Sequence, residues 1–98
     1  MRYCKITWIH NFEDEPVLYF HEIDDSNYET RKVVLYRNGK VEIASNSFET
    51  DECFLSSLPI PQISEINQEA QFIAIDISLD DFEKIWLESV SKRQERGK

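Results

Sequence analysis

The chain has only two glycines, Gly39 and Gly97, in 98 residues. Phosphate-cradling loops need several closely spaced glycines, so the common nucleotide-binding classes are excluded. There are two cysteines, Cys4 and Cys53, which is too few for a disulfide scaffold. Neither has a flanking glycine-rich elbow to make it a nucleophile. No run approaches the roughly 20 apolar residues of a membrane-spanning helix. Met1 to His10 lacks the continuous apolar stretch of a secretion signal. The expectation is a cytoplasmic chain with both thiols reduced. There is no internal repeat, low-complexity tract or linker, and one domain is expected over 1–98, with a frayed basic tail over 92–98.

A further absence is more specific. Between Asn11 and Thr30 there is no Lys or Arg, while seven carboxylates occur: Glu13, Asp14, Glu15, Glu22, Asp24, Asp25 and Glu29. Phe12, Val17, Leu18, Tyr19, Phe20, Ile23 and Tyr28 share the stretch, so it is built to fold. The net charge is −8. Lys92 to Lys98 hold four cations and one anion, leaving −11 on the other 91 residues. Such a body repels DNA, RNA and anionic membranes, and suits a basic protein surface. The plainer alternative is acidity that serves solubility alone.

Alternation and turn chemistry give the fold. A strand is expected over 1–10, a polar connection over 11–15, and a second strand over 17–24 entered through Pro16. Asp25-Ser26-Asn27 is a turn, and 28–37 a third strand around the β-favouring Val33-Val34-Leu35-Tyr36. Asn38-Gly39 predicts a type I′ hairpin returning through 40–45. The stretch 46–57 reads as an ordered loop with a helical turn. Pro61 then opens a short helix to about Glu69, with Ile63, Ile66 and Ala70 on one face. Gln71 to Ile77 reads as a buried strand. Ser78 caps a last helix with Asp81 three residues on. Leu79, Phe82, Ile85, Trp86 and Val90 form its apolar stripe, and Lys92, Arg93 and Arg96 suit its C-terminal end. The fold class is α+β: an antiparallel meander of four to five strands with a C-terminal helix on one face.

His10 and His21 both lie near carboxylates, so a metal or general-base site is one reading. Their spacing matches no metal signature, and hydrogen-bonded histidines at strand ends are the simpler one. No cofactor and no catalytic residue is expected. Binding hot spots favour Trp, Tyr and Arg. Tyr19, Tyr28 and Tyr36 on an open sheet face with the carboxylates resemble an interface more than an active site. The expected partner-binding residues are Asp14, Glu15, Tyr19, Glu22, Asp24, Asp25, Tyr28 and Glu29.

Trp8-Ile9-His10, Phe12, Asp14-Glu15-Pro16-Val17, Glu22, Asp24, Tyr28-Glu29 and Arg31-Lys32-Val33 form a recurring string, continued by Gly39, Ile60-Pro61, Glu65-Ile66 and Phe82 to Trp86. The string W-x-H-x-F-x-D-E-P-V, then E-x-D, then Y-E-x-R-K-V, resembles a family of small bacterial domains of unknown function. The likeness covers nearly the whole chain and implies no activity. Size, charge and lack of catalytic motif also resemble bacterial toxin immunity proteins. The leading expectation is therefore an immunity-type protein that occludes a toxin, such as a basic nuclease. The alternatives are a regulatory binding domain outside toxin biology and a small metal-dependent enzyme using His10 and His21.

Overall fold

The computed structural model describes residues 1–46 and 53–96, with side chains described as far as 92. The elements are β1 (Arg2–Trp8), β2 (Pro16–Ile23), β3 (Glu29–Tyr36), β4 (Val41–Ser45), α1 (Ile63–Ile66), β5 (Phe72–Asp76) and α2 (Leu79–Arg96). The five strands form one antiparallel sheet in the order β4-β3-β2-β1-β5. This is the expected α+β meander, with the fifth strand returning beside the first.

Period-two alternation divides the sheet into two faces. On one face Val33, Val41 and Ile43 are sealed beneath Ile85, Trp86 and Val90 of α2. The Ser78 hydroxyl accepts the Asp81 N–H at 3.0 Å, so the anticipated cap forms with Asp where Glu is usual. On the other face Cys4, Ile6, Ile23 and Ala74 are covered by Ile60, Ile63 and Ile66. Val34, Ala44 and Cys53 form a third cluster with Leu55. The sheet therefore carries a second layer that the one-sided expectation lacked. Leu58-Pro59-Ile60-Pro61 is not helical, and Ile60 packs on this face. Arg2 anchors it by donating to the Ile60 and Pro61 carbonyls, at 3.2 and 3.3 Å.

Several local expectations shift. The turn after Tyr36 is not type I′, because only Gly39 has positive φ, at +91°. Gly39 N–H donates to Tyr36 O and Tyr36 N–H to Lys40 O, both at 3.0 Å. That is a three-residue loop with its bulge at Gly39, the other common way to match strand twist. Helix α1 stops at Ile66, and Pro61 precedes its N-cap Gln62 instead of opening it; Ala70 is exposed. Strand β5 buries only Ala74 fully, while Ile73 and Ile75 are 51% and 48% exposed. Helix α2 packs at the other end of the sheet and leaves that corner open. Residues 47–52 of the loop expected over 46–57 lie outside the described residues, as do Gly97 and Lys98.

The outer edge of β5 is closed by one side chain. Asn67 Nδ2 donates to Ala74 O at 2.9 Å, and Ala74 N–H donates to Asn67 Oδ1 at 2.7 Å. An amide thus mimics a neighbouring strand where an open edge would invite pairing.

Candidate functional site

The eight expected partner-binding residues do not form one surface. Asp14 and Glu15 are exposed, beside Glu13, on the β1–β2 loop. Asp24, Asp25 and Tyr28 sit in the β2–β3 turn. Eight residues of β2 separate the two groups, about 25 Å at 3.3 Å per residue. Asp24 Oδ1 accepts the Ser26 and Tyr28 N–H groups at 2.9 and 3.0 Å, so this carboxylate builds the turn. Asp25 pairs with the N-terminal ammonium at 3.0 Å.

Glu22 and Glu29 are both buried, and they lie on opposite faces of the sheet. Glu22, on the helix side, takes two hydrogen bonds from Arg31, at 2.9 and 2.6 Å, and one from Thr30 at 2.7 Å. The Arg31 hydrogen bond, the largest cause, holds the Glu22 carboxyl below its usual range. Arg31 also binds Glu83 and lies 4.9 and 5.1 Å from the ring centroids of Phe82 and Trp86. This one guanidinium locks α2 onto the sheet.

A register irregularity between Glu22 and Ile23 turns Glu29 to the opposite face. There its side chain is 0% exposed and 2.6 Å from Nδ1 of His21. Ser56 N–H donates to its other oxygen at 2.6 Å, and the Lys32 ammonium lies 3.6 Å away. Burial alone would raise the Glu29 pKa. The His21 hydrogen bond and the Lys32 charge outweigh it and hold the group below the ordinary 4.5. An ionised carboxylate only accepts, so Nδ1 of His21 carries the proton.

His21, Glu29 and Lys32 form the polar floor of a cavity of about 510 Å³. Trp8, Tyr19, Phe72, Ile6, Ile60 and Ile66 supply its apolar walls, with Glu69 also lining it. The size and lining fall in the range of small-molecule sites. Tyr19 stacks on His21 with ring centroids 6.1 Å apart. Of the residues expected to bind a partner, Tyr19 and Glu29 thus belong to this cavity. Sequence reasoning missed it because its second wall comes from the 56–66 segment. The available signal was the shared face of His21 and Tyr19 together with the Ile60-Pro61 pair.

His10 is separate from His21. Its Nε2–H donates to Pro16 O at 2.7 Å and its Nδ1 accepts the Phe12 N–H at 2.9 Å. Both nitrogens shape the β1–β2 loop, and the two histidines share no site. Among the described residues no group of three or more His, Cys, Asp or Glu side chains is placed to hold a metal. Burial pushes the Cys4 thiol up to about 11, which makes it unreactive at neutral pH.

The β1–β2 loop makes a second cleft, of about 440 Å³, lined by Trp8, Phe12, Glu13, Asp14 and Glu15. Trp8, His10 and Phe12 rings gather there, with Trp8 and His10 centroids 4.1 Å apart and His10 and Phe12 5.4 Å apart. Phe12 remains 61% exposed. The Arg37 guanidinium braces the loop, donating to His10 O at 2.8 Å and to Phe12 O at 3.4 Å. Trp8 lines both the acidic cleft and the apolar cavity.

Among the described residues no helix is long and apolar enough to cross a membrane. No curated protein and no solved structure matches the chain. The family model described as "Domain of unknown function (DUF6881)" matches residues 2–91, and the chain belongs to that family.

Proposed function

We propose that this chain is a small acidic protein-binding module of the immunity type, which masks the working surface of a basic partner such as a bacterial nuclease toxin. The observation that carries the reading is the β1–β2 cleft. Three exposed carboxylates, Glu13, Asp14 and Glu15, line it with Trp8 and the exposed Phe12, and among the described residues no Lys or Arg lines it, Arg37 being held on the loop's own carbonyls. Carboxylates beside an aromatic anchor suit a cationic surface that itself receives phosphates. The chain's net charge of −8 adds long-range attraction for such a surface. The docking face is narrower than the sequence suggested: Glu22 and Glu29 are internal ties, and Asp24 and Asp25 belong to the far turn.

The test begins with capture of the partner from the native cell and its identification. The captured protein is expected to be basic, and its activity to be blocked in the complex. Association should slow steeply with added salt. The combined Glu13→Gln, Asp14→Asn and Glu15→Gln variant should associate at least about tenfold more slowly, as loss of steering implies. The Asp25→Asn control at the far turn should leave the rate unchanged. Association insensitive to both salt and the triple substitution refutes the reading. A partner that stays active when bound favours a regulatory domain instead.

A further inference from the structure

The apolar cavity has a built polar floor whose chemistry points to one kind of ligand. Glu29 is already satisfied. One of its oxygens receives Nδ1–H of His21, and the other receives the Ser56 N–H and faces Lys32. Lys32 in turn donates to Phe54 O at 2.9 Å. His21 is only 6% exposed and lines the cavity. Its Nδ1 is bound to Glu29, and Nε2 has no hydrogen-bond partner among the described residues. With Nδ1 donating to Glu29, Nε2 is the acceptor whenever the ring carries a single proton.

Charge narrows the ligand further. The molecule carries −8 overall, and Glu69 lines the cavity, so an anion is repelled. A cation would find only the solvent-exposed Glu69 as a counter-charge, because the buried carboxylate is already held by two donors and an ammonium. An uncharged group that donates one hydrogen bond matches the floor best. The three rings of Trp8, Tyr19 and Phe72 favour a flat aromatic body.

We propose that this cavity binds a small uncharged aromatic molecule bearing a hydroxyl, whose O–H donates to Nε2 of His21. The site is independent of the acidic cleft, although Trp8 borders both. Its occupant is a small molecule of the phenol class and not a protein. The Glu29 carboxylate acts at one remove: its hydrogen bond to Nδ1 fixes the imidazole tautomer and holds the ring on the cavity lining.

Three probes with one ring system test this: 4-methylphenol, toluene and 4-methylbenzoate. Each is titrated into the full chain at about pH 8. Binding is followed by NMR at the Trp8 indole, the His21 ring nitrogens and the side chains of Tyr19 and Phe72. We expect 4-methylphenol to shift all four residues and to bind about tenfold more tightly than toluene, the factor for one well-made hydrogen bond. Nε2 of His21 should move more than Nδ1. In His21→Leu the advantage over toluene should vanish. Should that variant fail to fold, the wild-type contrast between probes and the Nε2 shift still decide the matter. Equal affinity for toluene and 4-methylphenol overturns the proposal. So does tightest binding of 4-methylbenzoate, or shifts that miss the four residues, or no shift with millimolar probe.

Discussion

Replacing Glu29 with Gln isolates the buried tie between β2, β3 and the covering segment. The side chain keeps its size and one acceptor oxygen. Of the two hydrogen bonds to a charged acceptor, from His21 and from the Ser56 N–H, one becomes a bond to the neutral amide oxygen and the other is lost. The difference between a charged and a neutral partner is about 1 kcal/mol for the bond that is kept. The new NH₂ group faces the second donor in a fully buried position, adding about 2 kcal/mol for the bond that is lost. The sum is about 3 kcal/mol. At 4–8 °C per kcal/mol for a domain of this size, the midpoint should fall by about 12–24 °C. The pH dependence supplies an independent check. Glu29 is held below 4.5 in the folded state, so the unfolded chain takes up its proton first as pH falls. Its contribution is therefore full above the unfolded value and is lost as pH drops below 4.5 through the folded one. Glu22 behaves in the same direction but is common to both proteins. The gap between wild type and Glu29→Gln, measured by urea unfolding from neutral pH downward, should be constant above 4.5 and close below it. A variant as stable as wild type at neutral pH, or a gap that ignores pH, refutes the reasoning.

Two further outcomes follow from single side chains. Arg31→Lys keeps the charge but loses the fork that reaches Glu22 and Glu83 together and the flat stack on Phe82 and Trp86. It should cost about 1–2 kcal/mol by urea unfolding, and an unchanged midpoint would show that α2 is held by its apolar stripe alone. Asn67→Ala unblocks the outer edge of β5, beside the exposed Ile73 and Ile75. Concentration-dependent self-association by sedimentation is expected from it and not from wild type, and a strictly monomeric variant counts against the edge-blocking role.

The strands were legible because their determinants are local. Val33-Val34-Leu35-Tyr36 and the alternation of β2 dictate extended chain wherever it packs. Ser78 and Asp81 announce the helix start for the same reason. The candidate sites were legible only in part. Asp14 and Glu15 keep the exposed position that their loop implied. Glu22 and Glu29 read as neighbours of the same character, yet an irregular register between Glu22 and Ile23 puts them on opposite faces. A single inserted residue inverts the sidedness of everything after it, and spacing counted along the chain does not reveal it.

From sequence alone came the antiparallel sheet, the capped amphipathic helix, the family and the strongly negative charge, because propensity, periodicity and composition are properties of short segments. Tertiary structure decided which carboxylates stay in water. Arg31 of β3 reaches Glu22 of β2 and Glu83 of α2, and Ser56 reaches Glu29 across 27 positions. Such pairings depend on how layers meet, as does the cavity closed between the sheet and the 56–66 segment. Solvation of a charge is set by what the whole fold places over it.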